Sequence, residues 1–100
     1  FAEDLNGDGR NDVITSLQAH GYGLVWWEQL PGDGEPQFEK RSIIGASLKD
    51  NPHGVRFSQP HAIDFVDIDG DGLKDIITGK RYWAHGPKGD AEPDAAAVLY

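Results

Sequence analysis

Two short stretches carry most of the oxygen chemistry of this chain. Asp67–Asp75 reads DIDGDGLKD and Asp4–Asp12 reads DLNGDGRND. Aligned, they give D-x-[DN]-G-D-G-x-x-D, with carboxylate or amide side chains at positions 1, 3, 5 and 9. Oxygens spaced this way, with Gly letting the backbone turn sharply between them, suit a hard cation such as Ca²⁺. In the second copy Asp67, Asp69, Asp71 and Asp75 supply side-chain oxygens, and the carbonyl of Leu73 supplies another. In the first copy the same roles fall to Asp4, Asn6, Asp8, the carbonyl of Arg10, and Asp12. The expectation is two Ca²⁺ sites, structural rather than catalytic. Carboxylates this close repel one another without an ion, so metal binding and folding should be coupled.

Other loops use similar residues. An EF-hand loop places a bidentate Glu at position 12, where this chain has Thr15 and Thr78. Helices flank an EF-hand, whereas VITS and IITG here are strand-like, and a dockerin-like pair fails for the same two reasons. The bland alternative is an Asp/Gly turn that binds nothing. Two copies in register weigh against it.

Positioning such loops falls to strands. Val13–Leu17, Leu24–Gln29 and Phe38–Ile44 are β-branched, aromatic or alternating runs, and Pro and Gly punctuate the segments between them. Gly45–Pro60 is a long polar connection with a short helical turn near Ser47–Asp50. His61–Val66 and Asp75–Thr78 are strands around the second acidic loop, and Ala96–Tyr100 starts another. No useful window shows helical periodicity. The chain repeats: Asp4 to Asp67 spans 63 residues, and DVIT matches DIIT at the same offset. Ala19–Gly21 (AHG) recurs at Ala84–Gly86, and Leu24-Val25-Trp26 has its counterpart in Val98-Leu99-Tyr100. Each unit reads strand, acidic loop, strand, turn, strand, loop, strand, and four antiparallel strands suit one propeller blade.

DLNGDGRNDVIT and DIDGDGLKDIITG resemble the FG-GAP or VCBS repeats of integrin-α-like β-propellers. HAIDFVDIDGDGLKDIITGKRYW is similar to the repeats of secreted bacterial proteins of that group. The resemblance implies an all-β fold of antiparallel four-stranded blades, with a Ca²⁺ loop between the first and second strands of each. It also implies a ring of about seven blades, so this chain would be roughly one and a half blades. Residues 1–44 would form the first blade, 45–60 the connection and 61–100 the second. The remaining blades would be its partners, and an extracellular or periplasmic location follows from the same resemblance. The expected role is a binding or scaffold module. The alternative is part of a carbohydrate-active enzyme, a sugar lyase or dehydratase.

A four-stranded meander alternates its connections between two ends. The acidic loops take one end. The AHG turns and the 45–60 connection take the other, and with them go His20, His53 and His85. His61, at the start of its strand, joins the same end, which gathers all four His of the chain. Arg56, Lys80 and Arg81 belong near it. This end reads either as a polar pocket for carbohydrate or another ligand, or as a His-ligated metal site, with Trp27, Tyr82 and Trp83 as stacking surfaces. It reads also as turns capped by His, with Trp26 and Trp27 packed between blades. Asp64 stands outside the loop motif and could hold His61, a backbone group or an ion-bound ligand.

Composition narrows the field. One hundred residues make one small domain, and a net charge of −8 repels nucleic acid and anionic membrane. With no Cys there is neither a disulfide framework nor a thiolate zinc site. No run is long and apolar enough to span a membrane. Ser16, Ser42, Ser47 and Ser58 lack a nucleophile-elbow motif, and no Gly-rich phosphate cradle leads from a strand into a helix. The abrupt start on FAEDLNGDG and the interrupted strand at the end suggest a piece of a longer protein.

Overall fold

A computed structural model describes residues 1–51, 54–83 and 85–92. Its strands are β1 (Ala2–Glu3), β2 (Asp12–Ser16), β3 (Leu24–Gln29), β4 (Phe38–Ile44), β5 (Pro60–Val66) and β6 (Asp75–Lys80). All pairings between them are antiparallel. β1 to β4 form a meander in sequence order, and β5 with β6 form a hairpin. The only helical pieces among the described residues are 3-10 turns at Leu48–Asp50 and Pro87–Gly89. The first lies where the sequence suggests a helical turn. The fold is thus all-β, with one four-stranded sheet followed by the first two strands of the next unit. Ala96–Tyr100 lies outside the described residues.

Strand ends shift slightly from the sequence reading, for local reasons. β2 starts at Asp12 because its buried carboxylate accepts the Gln29 amide (2.8 Å) at the end of β3. Leu17 leaves the strand, its amide closing the turn onto the Gly23 carbonyl (3.0 Å). Pro60 starts β5, a position where a missing N–H costs no ladder bond. β6 runs on to Lys80 because Pro60 pairs with it.

The core lies between the meander and the hairpin. Ile14, Leu24, Ile44 and Phe57 form its buried centre, and Ile63, Phe65 and Ile76 pack against it from the hairpin. Alternation explains that face: Ile63 pairs with Thr78 and Phe65 with Ile76, so all four side chains point to one side. A bulge helps from the other side. Leu24 pairs with Ile44 while Val25 pairs with Ser42, leaving Ile43 as an extra residue. Both Ile43 and Ile44 thereby reach the core cluster. Trp26 also faces this interface, lining a cavity of about 170 Å³ with Leu5, Ile43, Lys74 and Ile76. Its packing between units agrees with the structural reading of that residue.

Candidate functional site: paired acidic loops and a histidine end

The two acidic loops fold alike, atom for atom in their main hydrogen bonds. Asp4 Oδ1 accepts the Gly7 amide (2.8 Å) and its Oδ2 accepts the Gly9 amide (2.8 Å). Asp67 takes the Gly70 and Gly72 amides the same way (2.7 and 2.9 Å). Asn6 Oδ1 accepts from Asp8 (3.1 Å) as Asp69 does from Asp71 (3.1 Å). Asp8 accepts from Arg10 (2.9 Å) as Asp71 does from Leu73 (2.8 Å). Each turn needs two glycines in the left-handed region: Gly7 and Gly9 at φ 75° and 84°, Gly70 and Gly72 at 79° and 91°. The last acid of each motif ties the base of its loop, Asp12 to the Leu5 amide (3.3 Å) and Asp75 to the Ile68 amide (2.9 Å).

Asp67, Asp69 and Asp71 are exposed and bring one carboxylate oxygen each within 4.8 Å of the others. Asp75 stands outside that triplet, at the foot of the loop. In the first loop the environment differs. The Arg10 guanidinium is ion-paired with the second oxygen of Asp8, and its Nε donates to the Gln29 carbonyl (3.0 Å). Burial would raise the Asp8 carboxyl, but the Arg10 amide, Asn6 and the Arg10 charge together hold it below its ordinary value. Asn6 Nδ2 reaches Glu28 (3.3 Å), so this loop is braced on the end of β3. The two loops face each other across a cleft of about 440 Å³ lined by Asp4–Gly7 and Gly72–Lys74. Lys74 crosses it to pair with Glu3.

At the other end, His20, His61 and His85 come together. The ring centroids of His20 and His85 are 4.5 Å apart, and those of His20 and His61 5.6 Å. His53 lies outside the described residues, as does Ala84 of the second AHG turn. Arg81 contributes its backbone amide, which donates to the Gln59 carbonyl (3.0 Å). Tyr82 and Trp83 stack on each other at 4.5 Å and stay largely exposed. Asp64 accepts its neighbour Phe65's amide (2.9 Å) and so takes the backbone role.

Sequence reasoning missed a buried polar knot beside these histidines. Lys80 Nζ donates to Asp90 Oδ2 (2.5 Å), and Asp90 Oδ1 accepts from the Ser58 hydroxyl (2.9 Å) and the Glu92 amide (2.8 Å). Burial alone would push the Asp90 carboxyl up. The hydrogen bonds from Lys80, Glu92 and Ser58 outweigh it and hold the group well below the carboxylate range. Glu92 also accepts the Ser58 amide (2.9 Å). Arg56 lies over the Tyr22 ring at 4.3 Å. Burial, then the Glu92 carboxylate, push the Tyr22 hydroxyl up, with Arg56 working against them. No local pattern announces this knot, because its members are drawn from positions 22 to 92.

A four-stranded antiparallel meander followed by an antiparallel hairpin, each with an acidic turn between its first and second strands, has the build of a β-propeller-type repeat module. The chain belongs to the FG-GAP-like repeat family, whose model matches residues 4–78, 75 of its 100 residues. That span holds both acidic loops and ends in β6. No curated protein and no solved structure matches the chain. Among the described residues no helix is long and apolar enough to cross a membrane.

Proposed function

We propose that this chain is a Ca²⁺-stabilised segment of an FG-GAP propeller of the VCBS type, serving as a binding or scaffold module of an extracellular or periplasmic protein. The observation that carries the reading is the second loop. Three carboxylates converge within 4.8 Å on a turn whose donors are all oxygens. Hard oxygen donors in a flexible loop suit Ca²⁺ better than a transition metal. Asp67, Asp69 and Asp71 would hold the ion, with the Leu73 carbonyl beside them and Asp75 steadying the loop. Asp4, Asn6, Asp8, the Arg10 carbonyl and Asp12 are the matching set of the first loop. The ion would supply charge compensation, so that each loop fixes the first turn of its blade. The partners are the other blades of the same ring, with a carbohydrate or protein ligand for the assembled module, and neither nucleic acid nor a membrane interior.

Calorimetric titration with Ca²⁺, alongside thermal unfolding with and without EGTA, tests this. Two bound ions and a lower melting temperature in EGTA are expected. Absence of both sinks the reading.

A second reading, part of a sugar lyase or dehydratase, draws on the convergence of His20, His61 and His85 at the end away from the acidic loops. Loss of sugar turnover in His-to-Ala variants that keep their melting temperature would favour it.

A further inference from the structure

We propose that Asn6–Gly7 is a site of spontaneous covalent modification, where deamidation rewrites the first acidic loop into the all-carboxylate pattern of the second. The chain has three asparagines, each with a different successor. Deamidation needs the backbone nitrogen of the next residue to reach the side-chain Cγ. Asn51 is followed by Pro52, which has no N–H to give up. Asn11 is followed by Asp12, which is fully buried and paired with Glu3 in the β1–β2 ladder. Asn6 is followed by Gly7, which has no Cβ to shield its nitrogen, and both residues are exposed. A Cβ built on Gly7 would meet nothing within 4 Å, so this side of the peptide bond is open to water.

Hydrogen bonds hold the reacting groups in place. Asp4 Oδ1 accepts the Gly7 amide (2.8 Å) and so fixes the nucleophile. The Asp8 amide donates to Asn6 Oδ1 (3.1 Å), where negative charge develops as the carbonyl is attacked. Asn6 Nδ2 donates to Glu28 (3.3 Å), which sets the plane of the amide. The Gly7 nitrogen bonds to Cγ, the Cγ–Nδ2 bond breaks, and ammonia leaves with the Gly7 proton. Water then opens the cyclic imide. Opening at Cγ restores the main chain with aspartate at position 6. Opening at the other carbonyl routes the main chain through the side chain, as isoaspartate. One water is consumed and one ammonia released, with no change of oxidation state.

The second loop shows that the aspartate product fits. Asp69 stands where Asn6 stands and accepts the Asp71 amide at the same 3.1 Å. Gly70 follows it at φ 79°, against 75° for Gly7. Aspartate at position 6 therefore keeps the turn and gives up only the bond to Glu28, a carboxylate that Arg41 already pairs. Isoaspartate lengthens the main chain by a methylene and spoils the turn. The consequence for Ca²⁺, which rests on the function proposed above, is a first loop with as many motif carboxylates as the second.

The test holds the full chain in mildly alkaline buffer with EGTA, at a temperature where circular dichroism shows the strands intact. A free peptide of residues 4–10 is aged beside it, and both are followed by peptide mapping and mass spectrometry. Conversion of Asn6 to aspartate and isoaspartate is expected, the latter detected by an isoaspartyl methyltransferase, while Asn11 and Asn51 stay amides. The measurement uses the native chain, so no variant has to fold, and Asn6→Gln should abolish the modification. An Asn6 that stays intact while the peptide converts, or conversion at Asn11 to the same extent, would overturn the proposal. Calorimetry of the purified aspartate form and of Asn6→Asp should show the weaker Ca²⁺ site tightening toward the stronger one. Conversion of Asn6 in a chain that binds no Ca²⁺ supports the modification site and sinks the Ca²⁺ reading alone.

Discussion

Lys80 and Asp90 meet at 2.5 Å with neither side chain exposed to solvent. A buried ion pair loses more when one partner is removed than when both are replaced, because the survivor is left charged and desolvated. Lys80→Ala and Asp90→Ala should each lower the melting temperature more than Arg41→Ala, whose ion pairs to Glu28 and Glu39 lie at the surface. The double change Lys80→Met/Asp90→Leu should recover much of the loss. Thermal unfolding of the four variants checks this ordering.

The same pair sets a pH dependence. The Asp90 carboxyl is depressed in the folded chain, so its contribution is complete above its unfolded value of about 3.9. It is lost progressively as pH falls below that value toward the lower folded one. Urea unfolding between about pH 5 and pH 2 should therefore show a steeper fall in stability for the native chain than for Lys80→Met/Asp90→Leu.

The acidic loops should differ in Ca²⁺ affinity. The second has four carboxylates in its motif, while the first has three, an Asn and an Arg side chain already on Asp8. Calorimetry should resolve a tight site and a weaker one. Asp69→Asn should weaken the tight site, and Arg10→Leu should strengthen the weak one. At a free Ca²⁺ concentration 100-fold above its dissociation constant, each site adds roughly 2.7 kcal/mol of stability.

Glycines in the chain should fail for different reasons. A Cβ on Gly72 meets open space, but its φ of 91° is foreign to other residues. Gly72→Ala should cost about 1–2 kcal/mol and weaken Ca²⁺ at the second loop. A Cβ on Gly45 would lie 2.3 Å from the Asp50 carbonyl oxygen, a backbone atom. Gly45→Ala should leave Ca²⁺ affinity alone while lowering the unfolding midpoint in urea.

The cavity cost of the core is also measurable. Phe57 is 3 % exposed and sits with Ile14, Leu24 and Ile44 where hairpin meets meander. Phe57→Ala should cost about 3–5 kcal/mol and Leu24→Ala about 2–5. Urea unfolding at pH 7 gives both values.

Much of the architecture is legible because it is local. β3 and β4 match their apolar and aromatic runs residue for residue, and the acidic loops announce themselves through Asp and Gly spacing. The gathering of His20, His61 and His85 follows from counting which end of the meander each connection must occupy. What stays hidden depends on distant partners. The Leu24/Val25 bulge brings Ile43 into the core, yet nothing in FEKRSII marks an extra residue. Lys80 reads as a polar residue past the end of its strand, near the histidines, until Asp90, in a segment that looks like plain turn, folds over it. Asp12 reads as a metal ligand by spacing, while its burial and its bond to the Gln29 amide give it a bracing role that only pairing with β3 reveals.

The exposed outer strand decides how copies of this sheet can accumulate. β4 ends the meander, and five of its seven residues face solvent, Glu39, Lys40 and Arg41 among them. Another chain adding a strand along this margin would have to bring its own backbone alongside charged side chains. Growth in that direction is discouraged, while the apolar flank of Ile14, Leu24 and Ile44 has already drawn the next hairpin onto it. Successive units are therefore directed to pile face against face, like pages bound at a spine, rather than to spread sideways into a ribbon.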